Sequence, residues 1–133
     1  MKRNFKFRAW DEDGYMFTPS TIKFSGKKVI IWEDDKYFGE LGSGVISLMQ
    51  STLMNDMNGK EIFEGDILEV FEPTQISQFG LKYEVRYKNG SFRFGRRNHH
   101  WTRKLNNLYP QVIFQMKLNV VGNIYETPEL LEK

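Results

Sequence analysis

Eight cations stand between Lys82 and Lys104 (Lys82, Arg86, Lys88, Arg93, Arg96, Arg97, Arg103 and Lys104) against one carboxylate, Glu84, so this stretch carries +7. The remaining chain holds 11 basic and 16 acidic residues and stands at −5. The formal charge of +2 for the whole therefore hides a basic segment in an acidic remainder. Guanidinium and ammonium groups gathered in this way neutralise phosphate, and aromatic side chains among them stack on bases. Arg86, Arg93, Arg96, Arg97, Arg103 and Lys104, with His100 and Trp101 as stacking groups, are the candidate contacts for DNA or RNA. The same residues suit a second class of partner. Arginine and tryptophan are enriched at protein interface hot spots, so the basic segment can equally dock on an acidic protein. The cluster Glu33, Asp34 and Asp35 of another copy is one such surface, and its use would close a symmetric homo-oligomer. A charged face that only keeps the protein in solution has the same composition.

Catalytic chemistry finds less support. His99 and His100 are adjacent, so they share no helix face and on a strand point to opposite sides. Zinc needs three or four convergent ligands, and both histidines lie among arginines that repel a cation. No metal and no cofactor are expected. Cysteine is absent, which leaves Ser, Thr or Tyr as nucleophiles, and nothing in their spacing supplies a base. The glycines at 39, 42 and 44 (GELGSGVISL) lack the lysine and following helix of a phosphate loop. A non-enzymatic binding module is the resulting expectation. Asp66 after Gly65, Asp11 after Trp10 and Asn123 after Gly122 read as turn residues, whose short side chains accept backbone N–H bonds.

Short strands must position these groups. The length of 133 residues suits one domain with a real core, and eleven Phe, six Tyr and three Trp suit a β-rich interior. No apolar run approaches the ~18 residues of a membrane span, and the first residues lead into Phe5-Lys6-Phe7-Arg8 instead of a signal-peptide core. Together with the missing cysteines, this points to a cytoplasmic protein.

Phe5, Phe7 and Ala9 alternate with polar neighbours as in a half-buried strand, and Asp11 to Gly14 turns the chain into Tyr15-Met16-Phe17. Thr21 to Phe24 and the wholly apolar Val29 to Trp32 follow as strands. Residues 36–47 read as an irregular connection, Val45 to Gln50 as a strand, and Ser51 to Asp56 as a loop or helical turn. Asn58-Gly59 is a strong turn signal, and Gly65-Asp66 bends the chain before the strand Ile67 to Phe71. The clearest hairpin is Leu81 to Phe94 about Asn89-Gly90. It sets Lys88 opposite Ser91, Tyr87 opposite Phe92, Arg86 opposite Arg93 and Val85 opposite Phe94, with Val85, Tyr87, Phe92 and Phe94 facing the core. Two arginines directly opposite cost up to about 1 kcal/mol, a clue to an anion on that face unless Glu84 or another acid pairs with them. Gly95 to Gln111 reads as a basic loop, Val112 to Leu118 as an alternating strand, and Val120 to Tyr125 as a last strand broken at Gly122-Asn123. Pro128 after Thr127 suits a terminal helical turn. The fold class is mainly β: short antiparallel strands in a small SH3-like or rolled β-barrel over 48–133, with an N-terminal β extension over 1–47.

Three blocks carry a family resemblance. Lys6-Phe7-Arg8-Ala9-Trp10-Asp11, LMQST…DMNGKEIFEGDIL from Leu48 to Leu68, and VVGNIYETPELL from Val120 to Leu131 resemble the YopX family of phage and prophage proteins, in the same order and over nearly the whole chain. The resemblance implies a β-rich fold with a small barrel in its C-terminal part and an accessory role in a bacterial host cell. A host or phage protein becomes the acidic partner to consider, and no catalytic residue is carried over. The family's middle block commonly sets an aromatic before its threonine and a glycine after it. Here Ser51 precedes Thr52 and Leu53 follows.

Overall fold

The computed structural model describes residues 6–26, 28–33, 36–40, 46–71, 80–88, 90–96, 103–104 and 117–131, with the backbone alone at 25, 28, 33, 36–40, 103 and 104. The fold is mainly β, built from antiparallel strands, and the chain divides into two compact units, Met1–Ser51 and Thr52–Lys133.

In the first unit β1 (Phe7–Asp11) and β2 (Tyr15–Phe17) form a hairpin. Its turn is made by Asp11, whose carbonyl accepts the Gly14 N–H at 2.9 Å and whose Oδ1 accepts the Asp13 N–H at 3.1 Å. The other edge of β1 pairs with the first half of β6 (Ile46–Asn55), which places Ala9 between Phe17 and Leu48. A second sheet runs β3 (Thr21–Ser25), β4 (Lys28–Glu33), β5 (Lys36–Glu40). Ala9, Phe17, Ile31 and Ile46 are the core of this unit, with Ile22, Val29 and Leu48 packed against them. Of the irregular connection expected over 36–47, residues 36–40 are instead β5 and 46–47 the start of β6, while 41–45 lie outside the described residues. Gly39 does not interrupt β5 but stands opposite Ile31, where the register shifts, the position at which a strand glycine marks a bulge.

The second unit holds residues 52–55 of β6, then β7 (Glu61–Phe63), β8 (Asp66–Val70), β9 (Leu81–Lys88), β10 (Ser91–Gly95), β11 (Arg103–Lys104) and β12 (Asn119–Asn123). Five of these form one antiparallel sheet in the order β11-β10-β9-β8-β12. The sheet curls into a half-barrel, and among the described residues no pair joins β11 to β12 as a closed SH3-like barrel would require. Ile62, Leu68, Val70, Val85, Phe92, Phe94 and Leu118 make its core, each large side chain contributing roughly 1.5–3 kcal/mol by leaving water. The strand expected over Val112 to Leu118 lies outside the described residues except for its end, where Lys117 is in a turn and Leu118 is buried. A 3-10 turn over Pro128–Leu131 follows β12, and its Leu130 N–H donates to the Thr127 carbonyl at 3.1 Å.

The loop or helical turn expected over Ser51 to Asp56 is a strand as far as Asn55. What disguised it is Leu53, which takes a left-handed φ of 61° in mid-strand. Thr52, buried beside it, spans the kink: its hydroxyl donates to the Ile62 carbonyl at 2.7 Å and accepts the Met54 N–H at 3.1 Å. A left-handed backbone favours glycine, and for leucine it costs about 1–2 kcal/mol.

Asp56 ends β6 with a buried carboxylate. Oδ1 accepts the N–H groups of Asn58 and Lys60 at 2.9 and 2.8 Å, and Oδ2 accepts that of Val120 at 2.9 Å. The Asp56 N–H donates to the Lys60 carbonyl and its own carbonyl accepts the Gly59 N–H, closing a three-residue loop between β6 and β7. Of the pair Asn58 and Gly59, Gly59 alone takes positive φ, so the turn is a three-residue loop with glycine last and not a two-residue turn.

Two stability outcomes follow. Leu53→Gly should raise the unfolding free energy by about 0.5–1 kcal/mol, because the side chain is half exposed and the backbone strain is relieved at a modest entropic cost. Asp56→Ala should lower it by about 3 kcal/mol, since three N–H donors lose one buried acceptor group. Urea unfolding of the purified variants measures both.

Candidate functional site

The basic residues of the second unit are ordered by β9 and β10. Their register is Ser91 opposite Lys88, Phe92 opposite Tyr87, Arg93 opposite Arg86, Phe94 opposite Val85 and Gly95 opposite Glu84, as a two-residue Asn89-Gly90 turn dictates. Gly90 takes φ 82°, while Asn89 lies outside the described residues. β11 continues the row, with Lys104 opposite Arg93 and Arg103 opposite Phe94. Arg86, Arg93 and Lys104 therefore occupy one line across three strands, at steps of about 4.8 Å. The basic loop expected to contain Arg103 and Lys104 is thus, at those two residues, a strand.

The two faces of the hairpin differ. Tyr83, Val85, Phe92 and Phe94 face the core, with the Tyr83 and Phe94 rings edge to face at 5.5 Å. Tyr87 departs from the expected core position. Near the hairpin end there is too little sheet to cover it, and it stays 53% exposed with its ring tilted 71° against Phe92 at 5.1 Å.

On the opposite face Lys82, Glu84, Arg86 and Lys88 alternate along β9. Lys82 pairs with Glu69 at 3.5 Å. Glu84 is 3% exposed and binds Arg86 through Nε to Oε2 at 2.7 Å and Nη2 to Oε1 at 3.4 Å. Its burial has a visible cause. Gly122 of β12 stands opposite Ile67, itself opposite Glu84, and a Cβ on Gly122 would collide with Thr127 Oγ1 and meet Leu130 Cδ1 at 2.9 Å. The 3-10 turn thus lies over the Ile67 and Glu84 end of this face and leaves the Arg86 and Lys88 end exposed. Arg93 is tied to the hairpin by its Nε, which donates to the Lys88 carbonyl at 3.1 Å.

Of the residues singled out in the sequence, Arg86, Arg93 and Lys104 come together by register, while Arg103 sits at the alternate position and Arg96 follows Gly95 at the end of β10. Arg97, His99, His100 and Trp101 lie outside the described residues. Lys88 and Tyr87 are additions. The signal for Lys88 was its parity with Arg86; for Tyr87 it was proximity to the turn.

The turn residues act on the backbone. The Gly65 N–H donates to the Val85 carbonyl, its own carbonyl accepts the Ile124 N–H, and its φ is 86°. Asp66 Oδ2 accepts the Phe63 N–H at 2.7 Å. Asn123 Oδ1 accepts the N–H groups of Tyr125 and Glu126, and Nδ2 donates to Glu126 Oε1 at 2.7 Å. Asn58 Nδ2 donates to Asn119 Oδ1 at 2.8 Å. Among the described residues no group of three or more His, Cys, Asp and Glu side chains is placed to hold a metal ion, and no helix is long and apolar enough to cross a membrane.

These features define a β protein of two units with a basic hairpin face. The YopX protein family model matches residues 6–132, and the chain belongs to that family. The crystal structure of protein EF1440 from Enterococcus faecalis is similar, with a TM-score of 0.64 at 28% identity over 98% of this chain and 100% of that one. The crystal structure of protein yopX from Bacillus subtilis is similar in fold, with a TM-score of 0.66 at 18% identity over 96% and 98% of the two chains. No curated protein matches the sequence.

Glu84→Gln should lower stability by about 1–2 kcal/mol, less than a fully buried pair would lose because the Arg86 side chain is 47% exposed. It should also make stability less sensitive to salt, which denaturant titrations at low and high ionic strength would measure.

Proposed function

We propose that this protein is a non-enzymatic phage or prophage accessory module that binds nucleic acid through the basic face of β9, β10 and β11. The observation that carries this reading is the cross-strand line of Arg86, Arg93 and Lys104. Like charges placed directly opposite on a sheet repel, and an anionic polymer relieves that repulsion. Glu84 offsets part of it by pairing with Arg86. Lys88 is exposed on the same face, and phosphates spaced along a nucleic acid complement a row of cations set at strand intervals. Contacts of this kind hold the backbone and read no bases, so affinity is expected with little sequence preference. Arg96, Arg97, His100, Trp101 and Arg103 are further candidate contacts by sequence.

A second reading is a module for an acidic host or phage protein or for another copy of the chain. It draws on Phe24, 74% exposed on β3, an edge strand among the described residues. An exposed aromatic on a sheet edge suits strand addition by a partner.

Fluorescence anisotropy with labelled DNA and RNA at low salt tests the first reading. Binding at micromolar protein should weaken linearly in a plot of log affinity against log salt. Lys88→Ala combined with Lys104→Ala should reduce that slope by about 1.5, the share of two phosphate contacts. No binding of any nucleic acid, together with a dimer in light scattering that Phe24→Ser dissociates, would favour the second reading.

A further inference from the structure

Cations and an exposed aromatic ring occupy opposite faces of the same hairpin end. Arg86, Lys88 and Arg93 alternate on one face, while Tyr87 and Phe92 form the outermost pair on the other. From this juxtaposition we infer that the module takes single-stranded nucleic acid, which folds over the hairpin end with its phosphates on the cationic face and one base stacked on Tyr87.

The inference rests on the nucleic-acid reading above and goes beyond it in choosing the strandedness and a base-contacting residue. A duplex has a persistence length of about 150 base pairs, so it can lie on the cationic face but cannot bend around the end of a two-stranded ribbon. A single strand turns at every nucleotide. Tyr87 is prepared for stacking in two respects. Its ring is 53% exposed, and the edge-to-face contact with Phe92 at 5.1 Å and 71° supports the orientation of the ring. Phe92, 7% exposed, is in turn fixed in the core. The platform thus sits on a packed strand pair and not on a loop. Every base has a π face, so stacking here adds affinity without demanding a sequence. The charge placement supports an anionic occupant over a protein surface: Lys88 follows Tyr87 directly, and Arg86 precedes it.

The test compares a labelled oligo-dT, an abasic oligonucleotide of the same length and a duplex of the same length, for the native protein, Tyr87→Ala and Tyr87→Phe. Native protein should bind oligo-dT at least about tenfold more tightly than the duplex at equal salt, and the abasic strand should lose about tenfold. Tyr87→Ala should lose about tenfold on oligo-dT and nothing on the abasic strand or the duplex, whereas Tyr87→Phe keeps the native affinity. Thermal unfolding of each variant confirms that the fold is kept, as expected for a half-exposed side chain. Equal affinity for duplex and single strand, or a Tyr87→Ala variant that binds oligo-dT as the native protein does, would overturn this inference and leave the nucleic-acid reading standing. Absence of binding to all three probes would overturn both.

Discussion

The second unit depends on where the oxygens of one buried carboxylate point. Asp56 is 6% exposed, and its carboxylate accepts backbone N–H groups from three residues, Asn58, Lys60 and Val120. Two of them, Asn58 and Lys60, shape the loop that turns β6 into β7. The third, on Val120, belongs to β12, and the Met57 N–H reinforces it by donating to the Leu118 carbonyl at 3.0 Å. A side chain here acts as a strand would, accepting a bond from the outer edge of the sheet. The desolvation of a buried carboxylate makes this costly unless all three donors are present, and the same cost makes the arrangement specific.

The basic face has a gradient built by the chain's own tail. At one end the 3-10 turn covers Ile67 and Glu84, so the acid is held where water is scarce and its pairing with Arg86 is short. At the other end Lys88 is open. The hairpin therefore does not present a uniform field: its charge rises toward the turn, the end farthest from the packed tail. Gly122 makes this possible, since any side chain there would occupy the space of Thr127 and Leu130.

Much of this could be read from the chain. The hairpin register followed from Asn89-Gly90 and strict alternation, because a two-residue loop leaves no freedom of pairing. The family followed from three ordered blocks. The pairing of Arg86 with Glu84 was one of the alternatives left open, and strand parity alone kept it open. Three features were hidden for physical reasons. Residues 36–40 looked irregular because glycine was read as loop, whereas Gly39 is accommodated by a bulge. The second half of β6 was masked by Leu53, whose backbone no leucine prefers and which the Thr52 hydroxyl supports from outside the local pattern. Tyr87 was assigned to the core by alternation, which gives the face but not how far the core extends.

The bond from Val120 to Asp56 spans 64 residues of sequence. A contact this distant has consequences in time. During synthesis β6, β7, β8 and the β9–β10 hairpin emerge well before β12, so the edge of β8 and the carboxylate of Asp56 stay without their final partners until the last strand is made. Closing so long a loop is an entropic step that local hairpins do not face, and topologies dominated by such contacts fold slowly. The β9–β10 pairing is local, whereas the tail that grades its charge follows in the chain and reaches back over 64 residues to meet Asp56.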